Sequence, residues 1–204
     1  MPRGRLQRGI EPSESGKDRR GTIRYALFQC IRDKGYAATS LADVAAVAGL
    51  SASHLLYYYD SKDAVLEDLF LMATRHMMDD IAKIPWDSPE AAIDALADYF
   101  FGGKFLTRTE IATMLQFWGL STHHPRLRET KTEFDDDLRR RLREVFRRAK
   151  RGGEASRDAA DVAYALLSGL LSAVYFAPDL DLPRARSLVR STLGRLAGLR
   201  QRKE

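Results

Sequence analysis

Apolar residues recur at spacings of three and four along nearly the whole chain, so the predicted elements are helices. The first starts at Asp18, with Ile23, Leu27, Cys30 and Ile31 on one face. Lys34 and Gly35 stop it, a last-turn cation followed by a residue free to turn left-handed. Ser40 caps a second helix, and Asp43 three residues on can reach back to it. Leu41, Val44, Ala45 and Ala48 form its buried face, Gly49 ends it, and Leu50 packs between helices. Ser51 is a fresh cap, and Leu55 with Tyr59 supplies the next apolar face. Ser61 caps a longer helix whose stripe runs through Val65, Leu66, Leu69, Phe70, Ala73 and Met77 toward Lys83. Two helices of about two turns, joined at Ala48-Gly49-Leu50-Ser51, have the layout of a helix-turn-helix.

Pro85 and Pro89 bracket a break, and helical patterning resumes. One stretch carries Ile93, Leu96, Phe100 and Phe101, and Gly102-Gly103 interrupts it. Another runs from Phe105 to Leu120. From Pro125 a long amphipathic helix shows Leu127, Phe134, Leu138, Leu142, Val145 and Ala149 on one side, with arginine and aspartate opposite, until Gly152-Gly153. Asp158 to Phe176 is almost wholly apolar with several small residues. Pro178 and Pro183 frame a loop, and a last helix carries Leu188, Leu193, Leu196 and Leu199. Alternating strand patterns and internal repeats are absent. The expected architecture is all-α, with about nine helices. A three-helix head at 18–62 would be linked by a helix at 61–83 to a larger helical domain within 63–204.

Charge sharpens this picture. Residues 1–62 hold ten Lys/Arg and six Asp/Glu, a net +4, while 63–125 hold four and ten, a net −6. A basic N-terminal block before an acidic middle points to a polyanion partner for the head. Residues 1–17 mix Pro, Gly, Ser and Arg without periodicity. They read as a flexible basic arm, either without a role or with Arg3, Arg5 and Arg8 on DNA phosphates or in the minor groove. The first 20 residues lack the apolar segment of a signal peptide, and no apolar run approaches the ~20 residues that span a bilayer. Cys30 is the one cysteine, which excludes an intrachain disulfide and fits a reducing, cytoplasmic setting. No Cys/His cluster has zinc-like spacing. No catalytic constellation or phosphate loop is present, so neither a cofactor nor an enzymatic activity is expected.

The run from Gly35 to Leu66, GYAATSLADVAAVAGLSASHLLYYYDSKDAVL, resembles the DNA-binding signature of the tetracycline-repressor (TetR) family. The match extends over about Arg19 to Leu69. It is specific because a generic helix-turn-helix would not require the Ser61-Lys62-Asp63-Ala64 start of the following helix. The His-Pro-x-Leu-Arg segment at His124 and the Leu-x-Ser-Gly-Leu segment near Gly169 more loosely resemble the regulatory region of choline-responsive members. The resemblance implies a dimeric, ligand-responsive regulator, by family habit a repressor, that binds a palindromic operator and is released by a small-molecule effector.

It places the second motif helix in the major groove, where Ala52, Ser53 and His54 would approach base edges. Tyr57, Tyr58 and Lys62 would contact phosphates, and the Thr39–Ser40 helix start would offer N–H groups and a hydroxyl to another. Tyr59 falls with Leu55 on the buried face. Three positions depart from family habit. Leu56 stands where an aromatic is common, Ala52 where a basic residue is frequent, and His54 where a smaller one is usual, which leaves the operator sequence open. Helices beyond Lys83 would enclose the effector, with Phe101, Met114, Phe117, Trp118 and Tyr164 as candidate lining residues or as plain core. Ala159–Phe176 and the last helix would pair with a second copy as a four-helix interface. Two other classes remain open on the residues alone. One is a helical small-molecule-binding or enzymatic protein with a vestigial head, and the other a protein-interaction adaptor using the tyrosine-rich helix.

Overall fold

The computed structural model describes Glu11 and residues 18–104, 106–149 and 154–199. The rest of the 1–17 arm, with Arg3, Arg5 and Arg8, lies outside the described residues, as does Gly152-Gly153. Among the described residues there are nine helices and no strand. They are α1 (Arg19–Lys34), α2 (Leu41–Val47), α3 (Ala52–Leu56), α4 (Lys62–Ala82), α5 (Pro89–Phe101), α6 (Arg108–Ser121), α7 (Pro125–Arg148), α8 (Glu154–Phe176) and α9 (Leu182–Ala197).

The helix boundaries follow from local chemistry. Asp18 caps α1 by accepting from the Gly21 N–H. Ser40 and Asp43 form a reciprocal capping box at α2. Ser51 accepts from His54 N–H at 3.1 Å to start α3, and Ser61 accepts from Ala64 N–H at 3.0 Å to start α4. Gly49 has φ 67°, a left-handed turn between α2 and α3 that a side chain would strain. Two predicted starts shift. The stretch expected from Phe105 begins as helix at Arg108, and the apolar helix expected from Asp158 begins at Glu154.

The chain divides into two compact units. The first comprises Met1–Met77 with Thr113–Lys131, and the second Met78–Ala112 with Thr132–Glu204. The helices α4, α6 and α7 each contribute residues to both. In the first unit Ile23, Leu27, Phe28, Ile31, Val44, Leu55, Leu66 and Leu69 form a sealed core. Phe70 and Phe117 meet edge to face in the same unit. In the second unit α9 packs along α5 and α8. Arg190 pairs with Asp94 at 2.7 Å and Arg186 with Asp98, tying α9 to the polar side of α5. Such exposed pairs contribute at most about 1 kcal/mol each, so buried Leu96, Phe100, Val189 and Leu193 carry the packing.

One expectation needs correcting. The segment Ser156–Phe176 is long and apolar enough to cross a membrane by length and composition. Asp158 and Asp161 interrupt it near its start, so it does not stand out as one unbroken apolar run. In the fold the helix buries Ala159, Ala160, Ala163, Leu167, Leu171 and Val174, the pattern of a core helix with one open face.

Candidate nucleic-acid interface

The five-residue helix α3 is held by one side chain. Leu55 is fully buried, while Ala52, Ser53, His54 and Leu56 face solvent. Removing so well packed a leucine costs about 2–5 kcal/mol, so Leu55→Ala would release the helix. Tyr57, just past its end, is 82% exposed. Its ring meets the half-buried Tyr58 edge on at 5.2 Å, and Tyr58 touches the His54 ring at 5.6 Å. Ser51 and Ser53 hydroxyls lie 3.1 Å apart. The residues expected to read bases and two of those expected to touch phosphate therefore form one continuous exposed surface.

Tyr59 turns the other way. It is buried, and its hydroxyl donates to Asp68, which also accepts from Arg24 at 3.0 Å. Burial, then the Asp68 hydrogen bond, pushes the Tyr59 hydroxyl well above the ordinary tyrosine range. For Asp68 burial alone would raise the pKa. The hydrogen bonds from Tyr59 and Arg24 outweigh it and hold the carboxyl below its usual value.

At the start of α2 the donors are already engaged. Thr39 is only 2% exposed, and its hydroxyl donates to the Gly35 carbonyl at 2.8 Å. The Ser40 N–H and hydroxyl donate to Asp43 at 2.7 and 2.6 Å, and Lys34 reaches the same carboxylate at 2.8 Å. Hydrogen bonds from Lys34 and from the Ser40 side chain and backbone hold Asp43 far below the usual carboxylate range. Lys62 is engaged as well. Its ammonium donates to the carbonyls of Tyr36 and Thr39 at 3.0 and 2.6 Å and lies 4.1 Å from the centre of the Tyr36 ring. A lysine has three protons, and these two bonds use two of them.

Several partners carried no local signal in the sequence. Tyr36 donates to Asp63, and its ring edge meets His124. Arg126 pairs with Glu67 at 3.7 Å. Arg20 donates to the Tyr58 carbonyl at 2.8 Å.

The candidate effector residues divide between the units. Met114, Phe117 and Trp118 belong to the first, and Phe101 and Tyr164 to the second. Phe101, Met114 and Phe117 are buried. Lys131 lies 4.6 Å from the Trp118 ring centre and Arg139 lies 4.2 Å from that of Tyr164, so one face of each ring already carries a cation. Among the described residues no group of three or more His, Cys, Asp or Glu could hold a metal ion.

Comparison with known proteins gives this geometry its context. Residues 23–69 match bacterial regulatory proteins of the tetR family, and residues 89–198 match the C-terminal region of BetI-type transcriptional repressors. The HTH-type transcriptional regulator BetI 1 of Chromohalobacter salexigens is 32% identical over 174 residues, covering 83% of this chain and 86% of its own. BetI 2 of the same organism is 31% identical over 193 residues, covering 92% and 90%. The fold matches a transcriptional regulator from Pseudomonas aeruginosa with a TM-score of 0.76 at 20% identity, covering 93% of this chain and 94% of that one. It also matches a transcriptional regulator from Saccharomonospora viridis in complex with choline, with a TM-score of 0.74 at 20% identity, covering 84% and 93%. These relatives are regulators and not enzymes. The chain belongs to the TetR family of transcriptional regulators, with a BetI-type C-terminal region.

Proposed function

We propose that this regulator represses transcription as a homodimer on a palindromic operator, and that a small quaternary ammonium compound of the choline class releases it. The single observation that supports the DNA half is the exposed row Ala52, Ser53, His54, Leu56 and Tyr57 around one buried anchor, Leu55. A helix presented this way projects its side chains into a major groove, and Tyr57, Tyr58 and the third proton of Lys62 serve the flanking phosphates. Leu56 supplies an apolar surface suited to a thymine methyl. The domain reading is a DNA-binding head at 18–62, linked by a helix at 61–83 to an effector and dimer region at 63–204.

The effector class is supported by the BetI-type match and by the choline bound to the structural relative. Aromatic faces attract such cations, and each unit's candidate aromatics are tested separately, Phe117 and Trp118 in the first and Tyr164 in the second. Dimer formation is supported by α8. Val162, Ala165, Gly169 and Phe176 lie exposed at helical spacing, a small and apolar stripe that a second copy would cover. Release follows from linkage: an effector that binds better when the two heads are off groove spacing lowers operator affinity by its preference for that state.

The test uses duplexes selected from a random pool. Choline is titrated into the complex beside 3,3-dimethylbutanol, its neutral carbon isostere. The expected result is release by choline and none by the isostere. Binding of choline with unchanged operator affinity would contradict the effector assignment.

A further inference from the structure

We propose that Arg20 is a DNA-backbone contact, fixed beside the end of α3 and serving the phosphates that flank Tyr57 and Tyr58. The inference rests on the DNA-binding reading above and adds to it a residue of α1, outside the candidate contacts between Thr39 and Lys62. Arg20 stands in the first turn of α1 and is exposed, with no acidic residue in that turn. Its Nη2 donates to the Tyr58 carbonyl at 2.8 Å, and its guanidinium carbon lies 4.6 Å from the centre of the Tyr59 ring.

Two consequences follow. The carbonyls at a helix end carry partial negative charge, so the cation is drawn to the end of the recognition helix whose exposed rings point outward. The guanidinium has five donors, and among the described residues its hydrogen bond to Tyr58 uses one, which leaves the others for a phosphate. The carbonyl and the ring also hold the group in place beforehand, so little side-chain freedom is lost when DNA arrives. The Asp68 carboxylate lies within electrostatic reach of Arg20, but its hydrogen bonds go to Tyr59 and Arg24, so it takes none of the guanidinium's donors.

Arg20 could instead serve only to cap α3, and the test separates the two roles. Phosphate contacts are independent of sequence, so binding of a random-sequence duplex is measured across a salt series for wild type, Arg20→Ala, Arg20→Gln and Arg20→Lys. Gln keeps a donor for the Tyr58 carbonyl without the charge, and Lys keeps the charge. Melting temperatures confirm that each variant folds. The expected result is that Ala and Gln both lower the salt slope by about 0.9, the value for one phosphate, and that Lys restores most of it. Weaker binding with an unchanged slope, or a wild-type slope in Gln, would overturn the proposal and leave a capping role. Failure of the wild type to bind duplex DNA at all would overturn the underlying DNA-binding reading along with it.

Discussion

Lys62 holds Tyr36 from two directions, donating to its carbonyl at 3.0 Å while lying 4.1 Å from the centre of its ring. The same ammonium reaches the Thr39 carbonyl, so the connection between α1 and α2 is pinned to the start of α4. Lys62→Ala is therefore expected to lower the stability of the head by about 1–2 kcal/mol, since hydrogen bonds to a charged group are among the stronger ones. It should also lower the salt slope by about 0.9 through the remaining proton. An unchanged melting temperature would remove the pinning role, and an unchanged slope the phosphate role.

The cluster of Arg24, Tyr59 and Asp68 predicts a pH dependence. The Asp68 carboxyl titrates below its unfolded value, so the stability it contributes is present above about pH 4 and is lost as pH falls through the lower folded pKa. At neutral pH Asp68→Asn should be less stable than wild type. Thermal melts from pH 7 down to pH 3 should show that gap shrinking. A gap that stays constant would mean that the carboxylate's charge is not what holds the cluster.

Base reading and phosphate contact should separate at α3. His54→Ala is expected to change preference at one base pair in each half-site, a discrimination of about 1–3 kcal/mol. Tyr57→Phe should weaken all sequences alike, because only a hydroxyl donor to the backbone is lost. Comparing the two variants on a panel of single-base operator changes checks both statements. A wild-type preference profile for His54→Ala would remove it from the base-reading set.

The open stripe of α8 predicts its own disruption. Val162 is 52% exposed and Phe176 72% exposed, with Gly169 between them. A charge at Val162 would be buried without a partner in a dimer and exposed in a monomer. Val162→Asp should therefore shift sedimentation to a monomer while leaving the helical content intact. An unchanged dimer would place the interface elsewhere.

The features that were legible in the sequence are local ones. The Ser40 cap, the Gly49 turn and the Leu55 anchor each depend on neighbours within a few residues, so spacing and residue type were enough. Lys62 shows what was not legible. Its carbonyl partners lie 26 and 23 residues away, and only the folded chain brings them together. The same holds for Thr39, read as part of a phosphate-binding helix start but buried with its hydroxyl on the Gly35 carbonyl. Trp118 and Tyr164 stand in the sequence as candidate lining residues or plain core, and nothing local to either marks Lys131 and Arg139 as the cations over their rings. The grouping of Thr113–Lys131 with the head likewise has no signature in periodicity, because it depends on which sides of α6 and α7 meet distant residues such as Phe70 and Tyr36.

The central claim is that this chain reads DNA as a twofold dimer through α3. Selection of bound duplexes from a random pool, followed by sequencing, tests it most directly. The account predicts enrichment of an inverted repeat whose half-sites are centred about one helical turn, ~34 Å, or a multiple of it apart. It also predicts that Leu55→Ala abolishes the enrichment. Recovery of unenriched sequences, or of a site without twofold symmetry, would contradict it.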